Sequence, residues 1–388
     1  GNLLQQLYST VDSIIVGNCV GKEALAALGS TGSIVSLLIA FSQGASVGAG
    51  VIISQYMGAK RKDDVKRAVH TAMAIAVIIG LVLTVAGVFM SRLFLVWMQT
   101  PDNILDGASL YLQIYCGGLL FNVLYNMCAG IFNAAGNSKR PLLYLGAASV
   151  VNIALDLILI QGFGMGVEGA AIATVLARFV EMFVVVIWTH LSIKKYEFLR
   201  GVYRTLKISI GEVKVIIIKG LPIFLNEFFW SGGIAAMTQC YSIKGLQVIA
   251  GMNISNAICN LLNVVFVAMG NAVGIISGQY LGASKFEKAK KASNKLMWFT
   301  AGICVFLTAI LIAGSGFFPK LYDTSDEVRH LGQWFIIITA SFFPLQGFLN
   351  VLYFTLRSGG KTVITFLFDS IFTWVVSVSL AFVLCKFT

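Results

Sequence analysis

The sequence predicts an all-α polytopic membrane protein built as two pseudo-symmetric six-helix lobes. Three observations predict it. The 388 residues are 57% hydrophobic and 12% charged, with mean hydropathy +0.85, about half the charge of a soluble domain. Ala24–Ala59, Thr71–Ser91, Gly107–Ser138, Gly245–Ser284, Leu296–Pro319 and His330–Leu356 contain no Asp, Glu, Lys or Arg, and each exceeds the roughly 18 apolar residues of a candidate bilayer span. Third, Gln55-Tyr56-Met57-Gly58-Ala59 recurs as Gln279-Tyr280-Leu281-Gly282-Ala283, an offset of 224, as expected of a duplicated bundle.

Eleven helical segments follow, at 2–19, 25–58, 67–98, 104–135, 141–161, 167–191, 213–242, 246–282, 290–318, 327–356 and 362–385. The first is short for a crossing, which predicts a missing N-terminal start, and the odd count predicts a twelfth helix beyond Thr388. The second stops before Lys60-Arg61-Lys62, the third before Thr100-Pro101 and the fourth at Gly136-Asn137, all stop signals. The fifth ends at the turn Gly162-Phe163-Gly164-Met165-Gly166, and the sixth at Lys194-Lys195. The seventh contains Pro222 and ends at Lys244-Gly245, while the eighth runs to the repeated Gly-Ala pair. The ninth ends at Pro319-Lys320; the tenth holds Pro344, expected to kink it, and stops at Gly359-Gly360 before the eleventh. A second echo aligns Phe132 through Lys139 with Phe354 through Lys361 at offset 222. Six spans separate the copies, so the predicted lobes, 1–191 and 213–388, have parallel topology; the polar stretch 192–212 is read as a cytoplasmic linker. Two repeated lobes around a cleft are the usual layout of an alternating-access transporter.

Charge orients the chain. Lys60, Arg61, Lys62, Lys66, Arg67, Lys139, Arg140, Lys194, Lys195, Arg200, Arg204, Lys207, Lys214, Lys285, Lys288, Lys290, Lys291, Lys295, Arg357 and Lys361 fall in alternate loops. The opposite side has Lys22, Arg92, Lys244, Lys320 and Arg329. The richer side is expected to be cytoplasmic, placing a bacterial chain in the cell membrane. The net charge of +11 is therefore a topology signal, and no nucleic-acid partner is expected. The seven cysteines have no Cys-x-x-Cys pair and the three histidines lie far apart, which excludes a disulfide framework and a zinc site; no cofactor besides a coupling ion is expected.

Carboxylates inside spans cost about 2.5–3.5 kcal/mol on insertion scales and default to function. Asp12 shares a helix face with Gln5 and Ser9, and Asp156 shares one with Asn152. Two carboxylates and an amide facing a cavity could hold a proton or ligate a small cation such as Na⁺. Arg178 and Glu181, at i, i+3, are expected to satisfy one another. Glu227 and Asp369 are second-half candidates. Amides form stripes: Asn122, Asn126 and Asn133; Asn253, Asn256, Asn260 and Asn263; Gln346 and Asn350 with Tyr353 and Arg357. Such faces should meet other helices or a wet cavity.

At these residues the chain resembles the multidrug and toxic compound extrusion (MATE) family. The likeness rests on Asn152-Ile153-Ala154-Leu155-Asp156 followed by Gly164 through Thr174, and on Leu7-Tyr8 through Asp12 with Val16-Gly17. Ala24-Leu25-Ala26-Ala27-Leu28-Gly29, Gly136-Asn137-Ser138-Lys139-Arg140-Pro141 and the duplicated Gln-Tyr-x-Gly-Ala add to it. The resemblance implies twelve helices and export of amphipathic, often cationic, compounds driven by Na⁺ or H⁺. By position, Asp12, Asn152, Asp156 and Thr174 match the N-lobe cation site of the DinF-like branch, and Asn133 a fourth-helix member. The seventh helix departs: Trp230 stands where relatives with a C-lobe site place a Glu, and Glu227 lies one turn earlier. Gln5, Asn126, Asn133, Glu227, Asn256, Asn260, Asn350 and Asp369 are the remaining cavity candidates, in a chain expected to act as a monomer. The rivals are a flippase for lipid-linked saccharides, which should show more basic residues in its cavity, and an intramembrane aspartyl enzyme using Asp12 and Asp156. The enzyme would want a Gly-x-Gly-Asp motif, whereas Ile153-Ala154-Leu155 precedes Asp156.

Overall fold

The structure, a computed structural model, describes residues 11–12, 15–17, 19–98, 100–191, 210–321 and 324–387. By its contacts the chain divides into two units, Gly1–Met57 with Arg61–Phe224, and Gly58–Lys60 with Leu225–Thr388. Gln5 and residues 192–209 of the expected linker lie outside the described residues.

Helix α1 is seen at residues 11–12, 15–17 and 19. It is followed by α2 (Lys22–Gly58), α3 (Lys62–Trp97), α4 (Asp102–Gly117), α5 (Leu119–Ala134), α6 (Lys139–Asp156) and α7 (Val167–Leu191). Then come α8 (Ile210–Ser242), α9 (Leu246–Gly282), α10 (Phe286–Gly314), α11 (Asp326–Ser341), α12 (Phe343–Ser358), α13 (Thr362–Phe366) and α14 (Ser379–Phe387). Among the described residues, seven helices are long and apolar enough to cross a membrane, or nine when each bent pair is one span.

Three departures from the sequence expectation have physical causes. The fourth and tenth segments are each two helices, bent by 48° at Gly118 and at Phe342. At the second break Pro344 lies in the first turn of α12, where its missing N–H leaves no helical bond unmade. At the first there is no proline; Gly118 is pressed against α7, where a Cβ would lie 2.7 Å from Val175. Helices α6 and α13 also pass into wider π-helical turns, at Leu157–Gly162 and at Leu367–Ile371, with a third π stretch at Thr373–Val378.

The internal repeat is sharper in the backbone than in the sequence. Adding 224 carries α2 onto α9, the start of α3 onto that of α10, α4 onto α11 and α5 onto α12, residue for residue. The turns agree: Gly21 and Gly245 (φ 121° and 106°), Lys60 and Ser284 (58° and 55°), and Gly136 and Gly360 (77° and 75°) pair at that offset. The second echo is therefore corrected from 222 to 224. Asn137 N bonds Phe132 O as Lys361 N bonds Leu356 O, and Gly136 N bonds Asn133 O as Gly360 N bonds Arg357 O. The left-handed glycine sets the register, and the nearby aromatic match that suggested 222 does not.

Packing follows the same duplication, with α3 against α4 and α5 in the first unit and α10 against α11 and α12 in the second. The first unit buries Ile53, Val69, Met127 and Phe132 in one core and Leu95, Leu112 and Leu119 in another; the second centres on Phe266, Leu311, Ile336 and Phe343. Ile78, Val82, Val85 and Phe89 on α3, and Trp298, Val305 and Phe306 on α10, are exposed, as lipid-facing side chains should be. With lipid as apolar as leucine, helices associate through close contact, and small residues permit it. A Cβ on Gly87 would lie 2.6 Å from Cys116 Sγ, and one on Gly48 2.8 Å from the backbone of Gly220. Gly87→Val should therefore lower thermal stability in detergent by about 1–3 kcal/mol, while Phe89→Leu on the exposed face should leave it unchanged.

Candidate functional site

In the first unit, α1 carries Asp12, α6 carries Asn152 and Asp156 one turn apart, and α7 carries Thr174. All four are buried, Asp156 completely. The side chains of Asp12 and Asp156 meet within hydrogen-bonding reach. Two ionised carboxylates have no proton to share, and Asp156 Oδ1 and Oδ2, Asp12 Oδ1 and both amide atoms of Asn152 have no hydrogen-bond partner. Buried polar groups of native proteins are otherwise almost always paired. These orphaned atoms are mostly oxygens, the donor set that suits a proton or a hard cation. Among the described residues no three His, Cys, Asp or Glu side chains cluster as a metal site, so any metal here would rely on Asn152 and Thr174 as well.

Thr174, Asn152, Arg178 and Glu181 line one small pocket between α6 and α7. Arg178 Nη1 donates to Glu181 Oε2 at 2.7 Å with both side chains buried, so the expected i, i+3 pairing is present. Arg178 also acts on Asp12 at longer range. Asp156 is the last residue of α6, immediately before the π-helical turn. Such turns recur at functional sites because they rotate side chains out of the helical register.

The second unit holds a different arrangement. Asn226 on α8 donates through Nδ2 to Asp369 Oδ2 and to the Tyr353 hydroxyl, each at 2.8 Å, and its Oδ1 accepts from Ser370 Oγ at 2.8 Å. One amide thus ties α8 to α12 and to the last helical stretch. Beside it, Arg357 Nη1 lies 3.9 Å from Glu227 Oε1. The guanidinium covers the rings of Tyr353 and Phe354, 5.0 and 5.3 Å from their centroids. Arg357, assigned by sequence to a cytoplasmic loop, is instead buried in the last turn of α12.

The remaining candidates separate. Asn126 joins α5 to α2, donating to Ser42 Oγ at 3.1 Å while its carbonyl accepts from Ser46 Oγ at 2.6 Å. Asn133 is half-buried in the last turn of α5. Asn350 Oδ1 is buried without a partner. Asn256 and Asn260 are exposed on α9, where Asn263 Nδ2 donates to Asn260 Oδ1 at 3.2 Å. Asn226 and Ser370 went unread in the sequence; the usable signal was an amide one turn after Pro222 and beside Glu227.

With this geometry in place, likeness to known proteins decides the family. The MatE family model matches residues 1–158 and 222–383. The chain belongs to the MatE family. It is 29% identical over 392 residues to the probable multidrug resistance protein YoeA of Bacillus subtilis, covering 100% of this chain and 84% of that protein. It is 28% identical over 389 residues to the probable multidrug resistance protein YpnP of the same organism, covering 97% and 83%. A multidrug resistance MATE family transporter of the MOP superfamily, solved in an outward-facing conformation, superposes with a TM-score of 0.92 at 23% identity over 99% of this chain and 85% of that one. Membership makes this MatE chain a multi-pass membrane transporter and sets aside the aspartyl enzyme.

The Arg178–Glu181 pair gives a stability test. Arg178→Met leaves a buried carboxylate alone and should cost about 3–5 kcal/mol. Arg178→Met with Glu181→Leu should recover most of that loss in thermal unfolding of the purified transporter.

Proposed function

We propose that this MatE transporter is a secondary active antiporter exporting amphipathic, often cationic, organic compounds by alternating access coupled to Na⁺ or H⁺ influx. Asp12 and Asp156 are the coupling carboxylates, with Asn152 and Thr174 beside them as neutral donors. The observation that carries this reading is the approach of two buried carboxyl groups, of which Asp156 Oδ1 and Oδ2 and Asp12 Oδ1 have no hydrogen-bond partner. Loaded with a proton or Na⁺, the pair carries one negative charge instead of two and the unit rearranges more readily in a low-dielectric medium; empty, it is held back by repulsion and desolvation. The amides of α9 support a cargo path, since an exposed polar face is unfavourable against lipid. The basic loops support a cytoplasmic side at that face, with no cofactor besides the coupling ion.

The test uses the full-length protein in sealed vesicles, following efflux of a fluorescent organic cation under an imposed pH or Na⁺ gradient. Asp12→Asn and Asp156→Asn should each reduce gradient-driven efflux to background while protein remains folded in the membrane, and the gradient that works names the ion. Thr174→Ala should raise the half-saturating ion concentration about tenfold. Undiminished efflux in both Asn variants would return the carboxylates to packing. Absence of efflux under either gradient with folded wild-type protein would move the cargo to lipid-linked saccharides.

A further inference from the structure

Helices α5 and α12 are one element in two copies, and at their equivalent positions the first unit has Asn133 and the second has Arg357. The first unit's own buried guanidinium, Arg178, is joined to Glu181 at 2.7 Å, whereas Arg357 faces Glu227 at 3.9 Å. A guanidinium stays protonated at any physiological pH and cannot leave. Arg357 is 6% exposed in its side chain against 36% for Glu227, so the cation sits deeper than the carboxylate it faces. Its other neighbours are the Tyr353 and Phe354 rings, which add cation–π attraction without neutralising it. Arg357 and Asp369 are the two charges acting on Glu227, while Asp369 is held by the Asn226 amide.

We propose that Arg357 is a resident counter-cation that fills, for Glu227 and Asp369, the role an exchangeable ion has in the first unit, so the second unit binds no coupling ion. This rests on the reading of Asp12 and Asp156 as the exchangeable site. The geometry fits a tethered ion. Glu227 is paired at 3.9 Å, longer than a hydrogen bond, and Arg357 Nε is buried without a hydrogen-bond acceptor. The guanidinium therefore balances charge across the cluster without closing a tight bidentate pair. Removing the cation should leave two carboxylates near each other in a partly buried site, which is the condition the first unit already meets. A latent cation site should then open in the second unit.

The test is cation-dependent thermal stabilisation of the purified full-length transporter, with Na⁺ exchanged for N-methylglucamine at constant ionic strength, and separately across a pH step. Asp156→Asn should lose the response of the wild type. Asp156→Asn with Arg357→Gln should regain a cation-dependent rise in Tm of a few degrees, abolished again by adding Glu227→Gln. Asp156→Asn with Arg357→Lys, which keeps the charge, should behave like Asp156→Asn alone. A double variant that stays insensitive to cations overturns the proposal. If Asp156→Asn keeps the full wild-type response, the exchangeable-site reading fails instead, and a further response gained with Arg357→Gln still decides the role of Arg357. If Arg357→Gln does not fold, recovery of folding in Glu227→Gln with Arg357→Gln supports charge balance, whereas failure of both assigns Arg357 to packing over the two rings and overturns it.

Discussion

Arg178 and Glu181 sit three residues apart on one helix with almost no exposure, joined at 2.7 Å. They are the simplest answer to a constraint that every ionisable residue in the spans must meet: charge removed from water has to be balanced nearby, because hydrocarbon offers nothing to solvate it. The chain meets that constraint in two ways. The α7 pair does it within one helix. Asn226 does it with a neutral amide that reaches Asp369, Tyr353 and Ser370 at once. Asp12 and Asp156 have only Arg178 acting on Asp12 at longer range, and that exception is why we propose them as the place for an ion that comes and goes.

The duplication makes the contrast informative. Helix bounds, break points and left-handed turns repeat at one offset, because a broken span in lipid must satisfy its freed backbone groups in one of few ways. Side-chain chemistry is under no such restriction and has diverged. Asp156 closes α6 seventeen residues after that helix begins at Lys139, whereas Asp369 lies seven residues after α13 begins at Thr362. At 1.5 Å per residue, the two carboxylates lie at positions along equivalent helices that differ by about 15 Å as measured from each helix's own start. They are not copies of one site. What they share is adjacency to π-helical turns, which let a carboxylate leave the ordinary helical face.

Much of this was legible beforehand, and the rest was hidden for identifiable reasons. Segments 167–191 and 246–282 match α7 and α9 at both ends, because glycine and charge punctuate them sharply. Asp12, Asn152 and Asp156 could be placed on two faces by helical spacing alone, since a carboxylate in an apolar run is costly and stands out. The break at Gly118 could not be seen: nothing in Gly117-Gly118 distinguishes a bend from tolerated helical glycine until Val175 is known to press there. Arg357 was misplaced because a basic residue near a span end ordinarily marks a loop. The positive-inside rule counts charges without asking which of them turn inward. Asn226 was overlooked for the opposite reason, a neutral amide drawing no attention beside Glu227.

A fixed cation and an exchangeable one are not interchangeable in a transporter, although both neutralise a carboxylate. The exchangeable ion makes the charge of its site depend on which side of the membrane supplied it, and only such a difference can drive a cycle. A guanidinium contributes the same charge in every state, so it stabilises without biasing the cycle. Arg357 holds its place through aromatic faces as well as Glu227, which keeps it from following the carboxylate into solvent. On this logic, the proposed point of control over ion stoichiometry is the residue at position 357. Arg357 keeps Glu227 paired, and a neutral residue in its place would leave that carboxylate open to an ion on the same helical scaffold.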